Sequence, residues 1–367
     1  MRSVAWRAVF ISTSVFAEPR EAPHRSLGLL RLQWARYRVP PEVEEQDLSL
    51  CPCLRNRALL RSCGRFAIMR RDGGFAYDAG QDPGRPDQEL AAMPERRAFE
   101  NPPDEVLRAF GAAEPLERLR GGQGQAVRSG DLILKPAQDD ERTRWVAGFC
   151  ERTHLDGLRL PRPVRARDGR LVHGGWQAWG HLEGKHRGDC WPETVDLCIR
   201  FHGQVADVSR PDWLDRVALD DPWTIADKVV WGELDFEPHP MIAPAVERLR
   251  RCLRATEVPA QLIHGDFGGN VLFSDSFLPA VIDLSPYWRP AAFAVGVVVA
   301  DAIVWEGSDA NLIDAARDIE GFDQFLARAE LRRIVELDAA HRLWGWDVLG
   351  ELDAHLPLIA IIEERCG

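Results

Sequence analysis

Leu262-Ile263-His264-Gly265-Asp266-Phe267-Gly268-Gly269-Asn270-Val271-Leu272-Phe273, followed by Ala280-Val281-Ile282-Asp283, decides how the chain is read. An apolar strand leads into a polar loop, a second strand, a turn and a third strand that ends on an acid. Two carboxylates and an amide, Asp266, Asp283 and Asn270, therefore arrive at neighbouring strand ends. Hard oxygen donors of that kind suit Mg²⁺, which takes one or two carboxylates together with phosphate oxygens. A loop carboxylate beside them is placed to accept the proton of an attacking hydroxyl.

Upstream of this stretch the text is strand-like. Leu116 to Leu119, Ala126 to Arg128 and Leu132 to Leu134 are apolar runs joined by tight turns, which predicts an antiparallel meander. The first turn, Gly121-Gly122-Gln123-Gly124-Gln125, has glycines whose backbone N–H groups can approach an anion closely. A helix is expected over Asp139 to Arg152, and further strands at Val164 to Arg167, Leu171 to His173 and Gly175 to Trp179. Beyond Gly184 helices dominate, among them Pro192 to Ser209, Pro222 to Gly232, Pro240 to Ala255 and Pro290 to Trp305. A small β-rich lobe (93–180) followed by a larger helical lobe (181–367) is an α+β, bilobal architecture.

Of 46 basic residues only three are lysine, Lys135, Lys185 and Lys228. In so arginine-biased a chain a retained lysine marks a place where a compact, flexible point charge does what a planar fork does not. Lys135 stands at the end of Leu132-Ile133-Leu134 and is the candidate cation of the small lobe.

The bulk composition, 45% hydrophobic and 28% charged, is that of a globular protein. A net charge of -11 argues against a nucleic-acid partner, whose footprint is a basic face. No apolar run of about 18 residues suggests a membrane span. The eight cysteines are scattered, with no second pair at zinc-finger spacing beside Cys51-Pro-Cys53, which fits reduced thiols in the cytoplasm. Residues 1–92 differ from the rest, with fourteen arginines, no lysine and a Gly/Asp/Pro-rich tract from Asp72 to Pro86. They read as a poorly structured extension, with Met93 as a natural start.

The His264-Gly265-Asp266 segment with Asn270 and Asp283 resembles the catalytic loop of the aminoglycoside/choline-type phosphotransferases, which share a protein-kinase-like fold. The resemblance runs from about Met93 to Cys366, and its nearest likeness is an actinobacterial branch of that superfamily. It implies transfer of a phosphoryl group from ATP, with Mg²⁺, to a small-molecule hydroxyl. It further implies Asp266 as catalytic base, Asp283 and Asn270 as metal ligands, and His264 as a structural residue of the loop. Lys135 is implied as the contact to the α- and β-phosphates, with a glutamate partner from the next helix, Glu151 or Glu141, of which Glu151 is preferred. Gly122, Gln123 and Gly124 would cover the phosphates, and Gln177 to Gly184 would form the hinge against adenine. Trp176, Trp179, Trp288 and Trp305 are read as core, and His202 and His341 as structural histidines. The chain departs from the pattern at one point: the asparagine usually lies about five residues after the aspartate, whereas Asn270 lies four after Asp266. The resemblance leaves two alternatives: a catalytically weak, pseudokinase-type nucleotide-binding protein, and an enzyme of the same fold that transfers adenylyl groups. A protein kinase is disfavoured because Leu284 to Pro290 runs almost directly into a helix, with no long activation segment.

Overall fold

The alternating apolar runs before and after Lys135 pair as one antiparallel sheet in the computed structural model, which describes residues 99, 101–119, 125–137, 140–217 and 219–366. Its strands are β1 (Glu117–Arg118), β2 (Val127–Ser129), β3 (Leu132–Pro136), β4 (Pro163–Val164), β5 (Val172–His173) and β6 (Trp176–Gly180). They lie in the order β1-β2-β3-β6-β4, with β5 folded back on β6. The β2–β3 hairpin turns at Gly130, whose φ of +58° suits a residue without a Cβ. Helix α1 (Asp104–Phe110) covers one sheet face, where Val106, Leu107 and Phe110 pack with Leu134, Trp176 and Ala178. Helix α2 (Glu141–Arg152) follows β3; Asp140 caps it by accepting the Thr143 N–H at 2.7 Å. Residues 1–92 and the turn residues Gly122, Gln123 and Gly124 lie outside the described residues.

The expected helical half is present. It comprises α3 (Trp191–Gln204), α4 (Pro222–Val230), α5 (Ala243–Cys252), α6 (Ala291–Val304), α7 (Phe322–Trp344) and α8 (Leu352–Cys366). Helix α6, Ala-Ala-Phe-Ala-Val-Gly-Val-Val-Val-Ala-Asp-Ala-Ile-Val, is apolar nearly all round and is the central buried helix, packed against α3 and α7. Gly296 is where α6 meets α7: a Cβ there would stand 2.7 Å from the Phe325 carbonyl oxygen. Among the described residues no helix is long and apolar enough to cross a membrane. The α+β expectation, a sheet followed by a larger helical part, is therefore what the structure has.

Two small ladders carry the decisive stretch. β7 (Gln261–His264) pairs with β10 (Pro286–Arg289), and β8 (Val271–Leu272) with β9 (Ala280–Val281), all antiparallel. Strand β10 was not expected from the sequence, where Leu284 to Pro290 reads as running almost directly into a helix. Pro286 occupies the first strand position and Pro290 the residue after the last, places where a missing N–H is tolerated. The sheet half is tied to these ladders through backbone bonds. Arg159 donates its N–H to Pro279 and accepts from Val281, both at 2.9 Å, while Lys185 and Phe273 exchange bonds of 2.8 and 2.9 Å.

Candidate active site

Lys135 projects from β3 and forms an ion pair with Oδ1 of Asp283, joining the sheet to the end of the β8–β9 ladder. The register places Lys135 opposite Gln177 and Ile133 opposite Trp179, so the ammonium lies 5.6 Å from the Trp179 ring. The side chains of Lys135 and Asp283 are 26% and 53% exposed, so a ligand can reach the pair from solvent. Asp283 has a φ of +50°, the one left-handed non-glycine among the described residues. That conformation costs about 1 kcal/mol for an L-residue. Short polar side chains tolerate it best, and it concentrates where function fixes a side-chain direction.

Asp266 and Asn270 are held together by the short loop between β7 and β8. Gly268–Asn270 forms one 3₁₀ turn, with the Asn270 N–H bonded to the Phe267 carbonyl at 3.0 Å. The turn brings the Asn270 side-chain amide onto Asp266, donating to its carbonyl at 2.6 Å and to Oδ2 at 3.1 Å. The Asn270 carbonyl in turn accepts the Ile282 N–H at 3.0 Å, one residue before Asp283. A separation of four residues is thus enough to connect the two acids through one asparagine.

Beneath the loop runs a chain of two neutral histidines. His202, in α3, donates Nδ1–H to the Cys198 carbonyl at 2.7 Å and accepts the His264 backbone N–H on Nε2 at 3.0 Å. His264 accepts the Asp266 N–H on Nδ1 at 3.2 Å and donates Nε2–H to the Ile282 carbonyl at 3.0 Å. Each ring must both donate and accept, so each is fixed in one uncharged tautomer. Burial lowers both imidazoles, His202 to about 3. These bonds orient the backbone at Asp266 and next to Asp283 together, as expected for structural histidines. His341 is likewise engaged, its Nδ1 donating to the Trp346 carbonyl at 3.0 Å.

Gly265 fits because the Tyr287 ring of β10 occupies the space of a side chain: a Cβ at this residue would come within 2.4 Å of it. A guanidinium reaches the loop from elsewhere. Arg332, in α7, donates to the Gly265 carbonyl at 2.6 Å and lies 5.0 Å over the Tyr287 ring. Its neighbour Arg333 approaches Oδ1 of Asp266 at 3.7 Å.

The sequence preference for Glu151 beside Lys135 is not met. Glu151 accepts from Arg165 at 3.0 and 3.2 Å, and Glu141 from Arg216 at 2.6 Å; neither is bonded to Lys135. Helix α2 presents these two carboxylates to arginines that propensity and spacing alone do not reveal. Trp176 and Trp179 are core, each 7% exposed, and Trp288 is half-buried in β10. Trp305 is not core; it is 44% exposed at the end of α6, with the Arg333 guanidinium 5.4 Å from its ring. Sequence reading missed Arg332, Arg333 and their acidic partners. The available signal was Asp301, a lone charge within apolar α6.

No protein-family model and no curated protein matches the sequence. Solved structures do. The chain is similar to a microcompartment-associated aminopropanol kinase at 15% identity and a TM-score of 0.48, over 72% of this chain and 97% of that one. It is similar to a choline kinase from Streptococcus pneumoniae at 11% identity and a TM-score of 0.49, over 70% and 96%. A spectinomycin phosphotransferase in complex with AMP matches at 16% identity and 0.46, over 71% and 96%.

Proposed function

We propose that the protein transfers the γ-phosphoryl group of ATP, with Mg²⁺, to a hydroxyl group of a small molecule. The observation that carries this reading is the convergence of Lys135, Asp283, Asn270 and Asp266: the ion pair joins the first two, and the Asn270 amide and carbonyl tie the loop of Asp266 to the approach to Asp283. In this reading 93–180 is the nucleotide-side lobe and 181–367 the acceptor-side lobe of a cytoplasmic enzyme. Its small-molecule acceptor needs neither nucleic acid nor membrane.

Lys135 would give up Asp283 for the nucleotide phosphates, its compact charge meeting oxygens that carry the negative charge. Asp283 and the Asn270 Oδ1 are hard oxygen donors at adjoining strand ends and fit Mg²⁺ in kind. When bound, Mg²⁺ supplies charge neutralisation on the phosphates. Asp266, half-exposed and oriented by Asn270, would align the acceptor hydroxyl and receive its proton. Phosphoryl transfer asks little covalent work of the protein, so positioning and electrostatics supply most of the rate. A screen of small hydroxyl compounds for ATP-dependent phosphorylation, wild type against Asp266→Asn, tests the reading. Turnover that survives in Asp266→Asn removes the base assignment.

A second reading, nucleotide binding without transfer, draws on the Glu151–Arg165 and Glu141–Arg216 pairs, which leave Lys135 without a carboxylate from α2. Melting shifts with Mg-ATP, in the absence of any product from the screen, would select it.

A further inference from the structure

Helix α6 holds a single charge, Asp301, near its C-terminal end, and α7 crosses it bearing Arg332, Arg333 and Glu336. The four side chains are 13%, 2%, 6% and 11% exposed, respectively. Taking such ions out of water costs several kcal/mol each unless they are paired. They are paired closely: Arg333 donates to both Asp301 oxygens at 2.7 and 2.5 Å and to Glu336 at 2.7 Å, and Arg332 lies 2.9 Å from Glu336. Besides the approach of Arg332 to Tyr287 and of Arg333 to the Trp305 ring, the cluster reaches the loop of the candidate base: Arg332 bonds the Gly265 carbonyl, and Arg333 faces the Asp266 carboxylate.

We propose that Arg333, anchored by Asp301 and Glu336, is a positioning residue for the Asp266 carboxylate. The proposal rests on Asp266 being the base of the transfer reaction. At 3.7 Å the Arg333 guanidinium is beyond a normal hydrogen bond, so it acts as a fixed charge on the Oδ1 side. The Asn270 amide holds the Oδ2 side at 3.1 Å. Flanked on both sides, the carboxylate keeps one orientation, with its remaining lone pairs turned outward for a hydroxyl. Asp301 keeps the guanidinium back from a direct pair with Asp266. The charged groups facing Asp301 are Arg333 and Glu336 of α7 and Asp266 of the loop. Burial pushes the Asp301 carboxyl up to about 6, partly offset by Arg333. Once Asp301 is protonated, Arg333 has lost one of its two anchoring anions. The guanidinium then closes on Asp266 and takes the lone pairs the acceptor needs.

The test compares wild type, Asp301→Asn and Arg333→Lys, each first shown to be folded by melting, using Mg-ATP with water as the acceptor. Wild-type kcat is expected to fall on the acid side with a midpoint near pH 6 while KM for ATP stays level, since Lys135 and Asp283 lie outside the cluster. Asp301→Asn, which mimics the protonated acid, should have kcat reduced roughly ten- to hundredfold at neutral pH and no such limb. Arg333→Lys should retain part of the wild-type rate, because the charge survives and the fork does not. A level wild-type kcat from pH 5 to 8, or a limb near pH 6 that persists in Asp301→Asn, overturns the proposal. If the wild type neither binds nor turns over ATP, the phosphotransferase reading falls, and the positioning contact is judged on exchange alone. Amide hydrogen exchange over residues 262–272, corrected for intrinsic rates, should differ between Asp301→Asn and wild type at pH 7.5 and converge at pH 5. Equal exchange at both pH values overturns the contact itself.

Discussion

The two walls of the candidate site hold their charges in different ways. On the sheet side, Lys135 meets Asp283 in a single ion pair open to solvent. On the helical side, Arg332, Arg333, Asp301 and Glu336 are largely buried and ion-paired with one another before they touch the loop. An exposed pair contributes about 0–1 kcal/mol and exchanges partners readily. Breaking a buried one costs about 3–5 kcal/mol, because it strands a charge. The contrast suits a site in which one wall must release its contacts to a ligand and the other must keep its geometry.

The contrast can be broken most severely at Asp266. Asp266→Asn should lower turnover roughly 10²- to 10⁴-fold, with denaturant unfolding unchanged. Next in size, Glu336→Ala should cost about 3–5 kcal/mol of folding stability, since it leaves Arg332 and Arg333 short of an anion. Lys135→Ala should change stability by only about 0–1 kcal/mol while abolishing the melting shift given by Mg-ATP. Comparable stability losses in the two variants would erase the distinction between the walls.

Acid should sharpen it further. Burial lowers His202 to about 3, so the folded protein takes up that proton only near pH 3, whereas the unfolded chain does so near its ordinary value of 6.5. Stability is therefore full above about pH 6.5 and declines as pH falls through that window, by about 1.4 kcal/mol per pH unit for this one group. His264 is lowered in the same sense; Asp301, pushed up to about 6, acts oppositely below that pH. The difference between wild type and His202→Asn isolates the histidine, and parallel stability curves from pH 7 to 4 would exclude it. The smallest effect is expected at Glu151→Gln, within about 0.5 kcal/mol of wild type and with Mg-ATP affinity nearly unaltered, because its partner is the half-exposed Arg165. A large loss of affinity would show that Glu151 changes partner when nucleotide binds.

What was legible in the sequence follows the same division. Asp266, Asn270 and Asp283 stood at the ends of apolar strands, where alternation and punctuation reveal the side-chain address. Lys135 was marked by the scarcity of its kind. Strand β10 was hidden because Leu284 to Pro290 reads as a lead into a helix, and its pairing with β7 depends on hydrogen-bonding partners that local text does not specify. The Arg332-Arg333 pair was hidden more deeply. Its letters, with Glu336 three and four residues on, are also those of a solvated helix face, and only the crossing of α6 makes them buried. Glu151 was assigned by distance along the chain, which says nothing of the direction its side chain takes.

The relay of imidazoles under the loop has a practical consequence. Each ring proton that it fixes, on Nδ1 of His202 and Nε2 of His264, is shielded from exchange and points at a single carbonyl. Such protons give isolated proton resonances downfield of the amide envelope. The fold has thereby installed a label-free spectroscopic probe within one residue of Asp283, able to register an arriving compound before any product is sought.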